Sequence, residues 1–309
     1  MRQEVLSIQS LNVAVATEKG QSPIVRDVSL QLYTHETLAL VGESGSGKTT
    51  LAHALVALHS KKSGFETKGK VVFSGEDLFD LSEKRLQEVR GAKISIIFQN
   101  PSSALNPVFS IGSQVAEVFR LHGDFSDEDI EKKTFDVLKE VGLGDLPNPF
   151  EVYPHQLSGG MKQRVMIAMA IAMGPKVLIA DEPTSALDVT VQKEILDLLR
   201  KYRKNHAMAF LLITHDLGVV REMADRVAVM YLGEIVEIAT ADELFTNPCH
   251  PYTRALLASL LTKDNRKKML TTNPIGESRD CPYGKTKLGE FFSISATHQV
   301  RPWNCEIGK

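Results

Sequence analysis

Residues 42–50 read Gly42-Glu43-Ser44-Gly45-Ser46-Gly47-Lys48-Thr49-Thr50, a glycine, four residues, then glycine, lysine and threonine. That spacing suits a loop that wraps phosphate groups. Gly42, Gly45 and Gly47 let the backbone turn its N–H groups inward onto phosphate oxygens, and Lys48 reaches the β- and γ-phosphates as a point charge. Thr49 offers a hydroxyl to Mg²⁺. Farther along, adjacent carboxylates, Asp181 and Glu182, end a run of small and branched apolar residues. Asp181 can sit on or beside the metal, and Glu182 can polarise a water for in-line attack on a γ-phosphate.

Such chemistry requires buried strands that deliver these residues to one edge. The apolar run 37–41 predicts a strand before the loop, and 49–58 predicts a helix whose N-terminus points at the anion. Strands predicted at 177–181 and 210–214, separated by a helix over 189–202 and followed by one over 217–224, imply a parallel sheet. Upstream, 5–8 and 25–30 read as short strands around a polar turn at 17–22, part of a small antiparallel sheet. A break at 61–64 precedes strands at 70–73 and 93–98, the latter ending at Gln99. Helical spacing at 111–121 and 129–141, bounded by prolines 101, 107, 147, 149 and 154, marks 101–173 as a helical insertion. A hairpin at 226–238 and one or two helices over 242–261 follow, and the last forty or so residues carry no periodicity.

The 309 residues are 43% hydrophobic, ample for a packed core. A net charge of -2 gives no basic footprint, which weighs against nucleic acid as a partner. The longest apolar run, 165–173, falls far short of the roughly 20 residues that cross a bilayer, so no membrane span is expected. The opening MRQEVLSIQS has no apolar core before a cleavage site, so no secretion signal is expected. Three scattered cysteines, Cys249, Cys281 and Cys305, suit a reducing cytosol.

Residues 157–164, Leu-Ser-Gly-Gly-Met-Lys-Gln-Arg, distinguish among phosphate-loop proteins, because they resemble the signature of ATP-binding cassette (ABC) proteins. Ser158 and the amides of Gly159 and Gly160 open a helix, a second anion site of the same physical kind. In the family that phosphate belongs to ATP on the opposite subunit. The resemblance implies that Gln99 senses Mg²⁺ and the membrane domains, that the loop 185–188 ending at Asp188 communicates across the dimer, and that His215 contacts the γ-phosphate. The metal set so implied is Thr49, Gln99 and Asp181. The expected fold is α/β, a phosphate-loop (RecA-like) cassette over 1–240. It includes an N-terminal antiparallel β-subdomain and a helical subdomain near 101–173, with a C-terminal helical and irregular extension at 241–309.

A narrower likeness lies in residues 99–108, 180–192 and 250–257, which are similar to the subgroup serving oligopeptide, dipeptide and nickel importers. It implies an ATP- and Mg²⁺-using subunit on the cytoplasmic face of the inner membrane. Its expected partners are a second ATPase, a different chain in preference to a copy, two membrane permeases and, through them, an external solute-binding protein. Nickel or another small solute remains the alternative to peptides, because the family selects its solute in other subunits. A soluble cassette protein of translation or DNA repair is the other alternative, disfavoured by a single phosphate loop and no sustained heptads. Two positions depart from the family. Val15 stands where an aromatic residue stacks on adenine, and the tail lacks the four thiolates that an iron–sulfur cluster takes.

Overall fold

The computed structural model describes residues 3–18, 20–59, 64–185, 187–261 and 291–302. Residues 61–63 of the expected break at 61–64, Ala186, Cys281 and Cys305 lie outside the described residues. In chain order the elements begin with β1 (Glu4–Thr17), β2 (Gly20–Tyr33), β3 (Thr37–Val41), α1 (Lys48–Leu55), β4 (Phe65–Phe73), β5 (Glu76–Asp77), α2 (Glu83–Val89) and β6 (Ile94–Ile97). Helices then dominate: α3 (Pro101–Ala104), α4 (Ile111–His122), α5 (Asp127–Glu140) and α6 (Gly159–Ile171). Strands and helices alternate afterwards as β7 (Val177–Asp181), α7 (Val189–Asn205), β8 (Ala209–Ile213), α8 (Leu217–Met223), β9 (Arg226–Tyr231) and β10 (Glu234–Thr240). Last come α9 (Ala241–Thr246), α10 (Pro251–Leu261), β11 (Phe292–Ser293) and β12 (Gln299–Val300). One sheet has the order β2-β1-β4-β5. No helix among the described residues is long and apolar enough to cross a membrane.

The chain forms two compact units, one of residues 1–6, 31–35 and 72–212, the other of 7–30, 36–71 and 213–309. In the first, β8, β7 and β6 are successive neighbours in a sheet, and β6 pairs with β7 in parallel from Ile94↔Val177 to Ile97↔Ala180. Every residue of β7 and β8 is buried, as expected of strands covered on both faces. Helices α4, α5 and α6 each start at a serine, Ser110, Ser126 and Ser158, whose hydroxyl accepts a hydrogen bond from the amide three residues on. Asp127, Glu128 and Asp129 add negative charge to the first turn of α5, where the helix dipole favours it.

In the second unit β3 pairs in parallel with β9, from Leu38↔Arg226 to Val41↔Val229, and β9 turns back antiparallel onto β10. Ala39, Val41, Val220, Val227, Val229 and Tyr252 share one core cluster that spans β3, β9, α8 and α10. β12 adds to β10 with Glu237 opposite Val300, and β11 folds back on β12.

The two long N-terminal strands and the tail differ from expectation for physical reasons. β1 and β2 are 14-residue strands in place of short ones, because Ser10 (φ 46°) and Asp27 (φ 44°) adopt left-handed backbone that breaks the apolar alternation without ending the strand. Of the one or two helices expected over 242–261 the structure forms two, separated by a loop that holds Pro248, with Pro251 opening the second. The tail contributes the β11–β12 hairpin, whose two-residue strands are too short to show a period.

Candidate functional site

The phosphate loop links fully buried β3 to α1. Gly42 (φ 156°) could not carry a side chain, because a Cβ there would stand 2.2 Å from the Met230 carbonyl oxygen. Gly47 (φ 106°) faces the Ile24 carbonyl at 2.8 Å in the same sense, whereas a Cβ on Gly45 (φ 82°) would meet nothing within 4 Å. The loop is thus walled by backbone on one side and open on the other, a cradle that fits a phosphate chain. Lys48 is 6% exposed and its Nζ donates to the carbonyls of Gly42 (2.9 Å) and Glu43 (2.7 Å) and, at 3.4 Å, to Ser46 Oγ. The ammonium is thereby held over the loop.

Two neighbours in this unit brace the cradle. The amide of Gly233, in the β9–β10 turn, donates to Ser46 O at 3.0 Å, and the amide of Glu43 donates to the Tyr252 hydroxyl at 2.9 Å. Tyr252 is almost fully buried, packs tilted against the Tyr231 ring at 4.2 Å between centroids, and has its phenol pKa pushed up by burial. His215, exposed, sits between β8 and α8. The Thr214 amide donates to Leu40 O at 3.3 Å, fixing the histidine's loop beside the end of β3, and Asp216 caps α8 through the amides of Gly218 and Val219.

In the other unit the β6–β7 register decides the geometry. Ile97 pairs with Ala180, so Gln99 and Glu182, each two residues farther, leave the same edge. Gln99 Nε2 donates to Glu182 Oε2 at 2.8 Å. Asp181 is buried, and Glu182 holds φ 47°, a left-handed conformation that costs a non-glycine residue on the order of 1–3 kcal/mol. A carboxylate at the residue after a buried strand, hydrogen-bonded by Gln99, is a group that can accept a proton from a water.

Ser158, Gly159, Gly160 and Asp188 form a further group. Ser158 Oγ caps α6 by accepting from the Met161 amide at 3.3 Å. Asp188 Oδ1 accepts from the amides of Thr190 (3.1 Å) and Val191 (3.0 Å), so this carboxylate caps α7. A Cβ on Gly160 would come 2.6 Å from Val191 Cγ1, while one on Gly159 would only touch Leu187 at 3.9 Å. The two helix starts are packed as closely as glycine allows.

Val15 is half-buried on β1. Sequence reasoning placed the residues just described but gave no structural task to Tyr252, which belongs to the 250–257 stretch. The pattern of a buried aromatic with a polar tip was the available signal. Nor did it connect Glu237, Cys249 and His298, which converge in the second unit.

Comparison with known proteins accords with this geometry. Residues 25–185 match the model of the ABC transporter family, and residues 236–285 match that of the oligopeptide/dipeptide transporter C-terminal region. The chain is 42% identical to the oligopeptide transport ATP-binding protein OppD of Bacillus subtilis, over 97% of this chain and 88% of that protein. It is 45% identical to the dipeptide transport ATP-binding protein DppD of the same organism, over 87% and 80%. Among solved structures, the dimeric post-hydrolysis state of the ATP-binding cassette MJ0796, bound to ADP and Pi, aligns at a TM-score of 0.67 and 27% identity, covering 76% of this chain and 98% of that one. With a cradle built for phosphate, an oriented carboxylate and these matches across its length, the chain belongs to the ABC transporter family as one of its ATPases.

Proposed function

We propose that this chain is the ATP-binding and ATP-hydrolysing subunit of a peptide importer, peripheral on the cytoplasmic face of the inner membrane. The observation that carries the catalytic half is the 2.8 Å contact between Gln99 and Glu182, since a module that only bound nucleotide would need no carboxylate aimed from a strained backbone. Peptide as the solute is supported by the C-terminal region and by the names of the relatives.

In this reading the amides of residues 42–50 and Lys48 Nζ bind the phosphates, the lysine exchanging loop carbonyls for phosphate oxygens. Thr49, Gln99 and Asp181 supply oxygen donors of the kind Mg²⁺ takes, and that ion when bound neutralises charge on the phosphate oxygens. Glu182 accepts a proton from the attacking water, with Gln99 setting the carboxylate's direction, and His215 donates to the γ-phosphate. Ser158, Gly159 and Gly160 present a helix N-terminus to the nucleotide of a second ATPase, and Asp188 fixes the start of α7 beside them. That second ATPase is a different chain in preference to a copy, working with two permeases and, through them, an external binding protein. The cassette occupies 1–240, with its helical part near 101–173, and 241–309 is the extension.

Glu182→Gln tests the assignment. ATP affinity should stay within about twofold while hydrolysis falls by about 10²- to 10⁴-fold, the usual contribution of a positioned general base. Wild-type turnover in that variant would remove Glu182 from the reaction.

A further inference from the structure

The second unit holds a cluster that ATP hydrolysis does not use. Glu237 on β10, Cys249 in the loop before α10, and His298 in the β11–β12 turn come from three separate segments, and all are buried. Their ligand atoms, a carboxylate oxygen, Sγ and an imidazole nitrogen, lie within 4.8 Å of one another. His298 Nε2 is 2.7 Å from Glu237 Oε1.

We propose that Glu237, Cys249 and His298 form a binding site for a single divalent transition-metal ion of the zinc class, which locks the C-terminal hairpin onto β10. Sulfur, imidazole nitrogen and carboxylate oxygen together are the donor set that zinc takes, and three protein ligands leave one corner of a tetrahedron for a water. Charge balances in the loaded site: the Cys249 thiol releases its proton to solvent, and the thiolate and the Glu237 carboxylate together carry the two negative charges that a divalent cation neutralises. The carboxylate is already oriented by the backbone: the Cys249 amide donates to Oε1 at 2.8 Å and the His250 amide to Oε2 at 2.9 Å. Such hydrogen bonds hold a ligating carboxylate in place. Loading replaces the direct Glu237–His298 hydrogen bond with two bonds to one ion and draws in Cys249 Sγ, now 3.5 Å from Asn247 O.

Val300 faces Glu237 across the β10–β12 pair, and Cys249 and Val300 pack together with Phe292 and Ile294. The ion would therefore tie both strands of the hairpin to the body of the unit. A single ion with one sulfur ligand is distinct from an iron–sulfur cluster, which takes four cysteines.

The test uses the full-length chain, stripped by chelator, dialysed and titrated with Co²⁺ without nucleotide. Oxygen-only magnesium sites give no sulfur-to-cobalt charge-transfer band, so that near-ultraviolet band reports the thiolate. The expected result is a band that saturates at one equivalent, together with a rise in Tm on adding Zn²⁺. Both should vanish in Cys249→Ser and in His298→Gln, and both should persist in a Cys281→Ser/Cys305→Ser double variant. Folding of each variant is checked by ATP binding. If Cys249→Ser does not fold, loss of the band in folded His298→Gln still supports the site, and its retention there overturns it. Absence of the band in the folded wild type, or a band that follows Cys281 and Cys305 instead, also overturns it.

Discussion

The Glu43 amide, inside the phosphate loop, donates its hydrogen bond to the hydroxyl of Tyr252, more than two hundred residues away at the start of α10. The loop's shape therefore depends on the C-terminal part of the second unit. Tyr252→Phe keeps the ring on Tyr231 and deletes only the acceptor. A single hydrogen bond contributes about 0.5–1.5 kcal/mol net, so ATP affinity should fall about two- to tenfold, measured by equilibrium titration. Unchanged affinity would show that the loop keeps its shape without this brace.

Gly160 is where the starts of α6 and α7 meet. Gly160→Ala sets a Cβ 2.6 Å from a methyl of Val191, a stiff β-branched side chain, and overpacking of this kind costs about 1–3 kcal/mol. ATPase activity of the assembled complex should drop while ATP binding at the chain's own phosphate loop is retained. Adding Val191→Ala should restore much of the activity. Failure of that rescue would place the defect at the nucleotide and not in helix packing.

Glu243 anchors the C-terminal hairpin. Partial burial disfavours its charge, but hydrogen bonds from Thr240, Ser295 and Thr297 and from the Thr240 amide outweigh that and hold its pKa down at about 2, against an ordinary 4.5. A lowered carboxyl pKa stabilises the folded state above the unfolded value and loses that contribution as pH falls through the folded one. The Tm difference between wild type and Glu243→Gln should therefore be constant from pH 7 to about 5 and shrink between 4.5 and 2. A difference that changes near neutrality instead would assign the effect to another group.

The phosphate loop, the strand-end carboxylates and Ser158 were legible because each lies in a short stretch whose spacing is itself the chemistry. What single stretches could not express was pairing between distant ones. Gln99 and Glu182 were both identifiable, yet their contact follows from the Ile97↔Ala180 register, a property of two strands. Asp188 was expected to end a loop that communicates across the dimer, and its carboxylate also caps α7, a local role that the run Asp-Val-Thr-Val permits. The full lengths of β1 and β2 were hidden by the left-handed residues Ser10 and Asp27. His298 lies in a turn between two-residue strands, where no periodicity exists to detect.

In the proposed mechanism each ATP is hydrolysed between the phosphate loop of one ATPase and the Ser158–Gly160 helix start of another. The most direct measurement is ATP turnover and nucleotide occupancy in a complex reconstituted with the second ATPase, both permeases and loaded binding protein, using either wild type or Ser158→Arg. The isolated chain should turn over slowly, with turnover rising on assembly. Ser158→Arg should abolish hydrolysis at the site built on the partner's loop while Lys48's own loop still binds ATP. Full turnover by a lone chain, independent of its concentration and unaffected by Ser158→Arg, would contradict that mechanism.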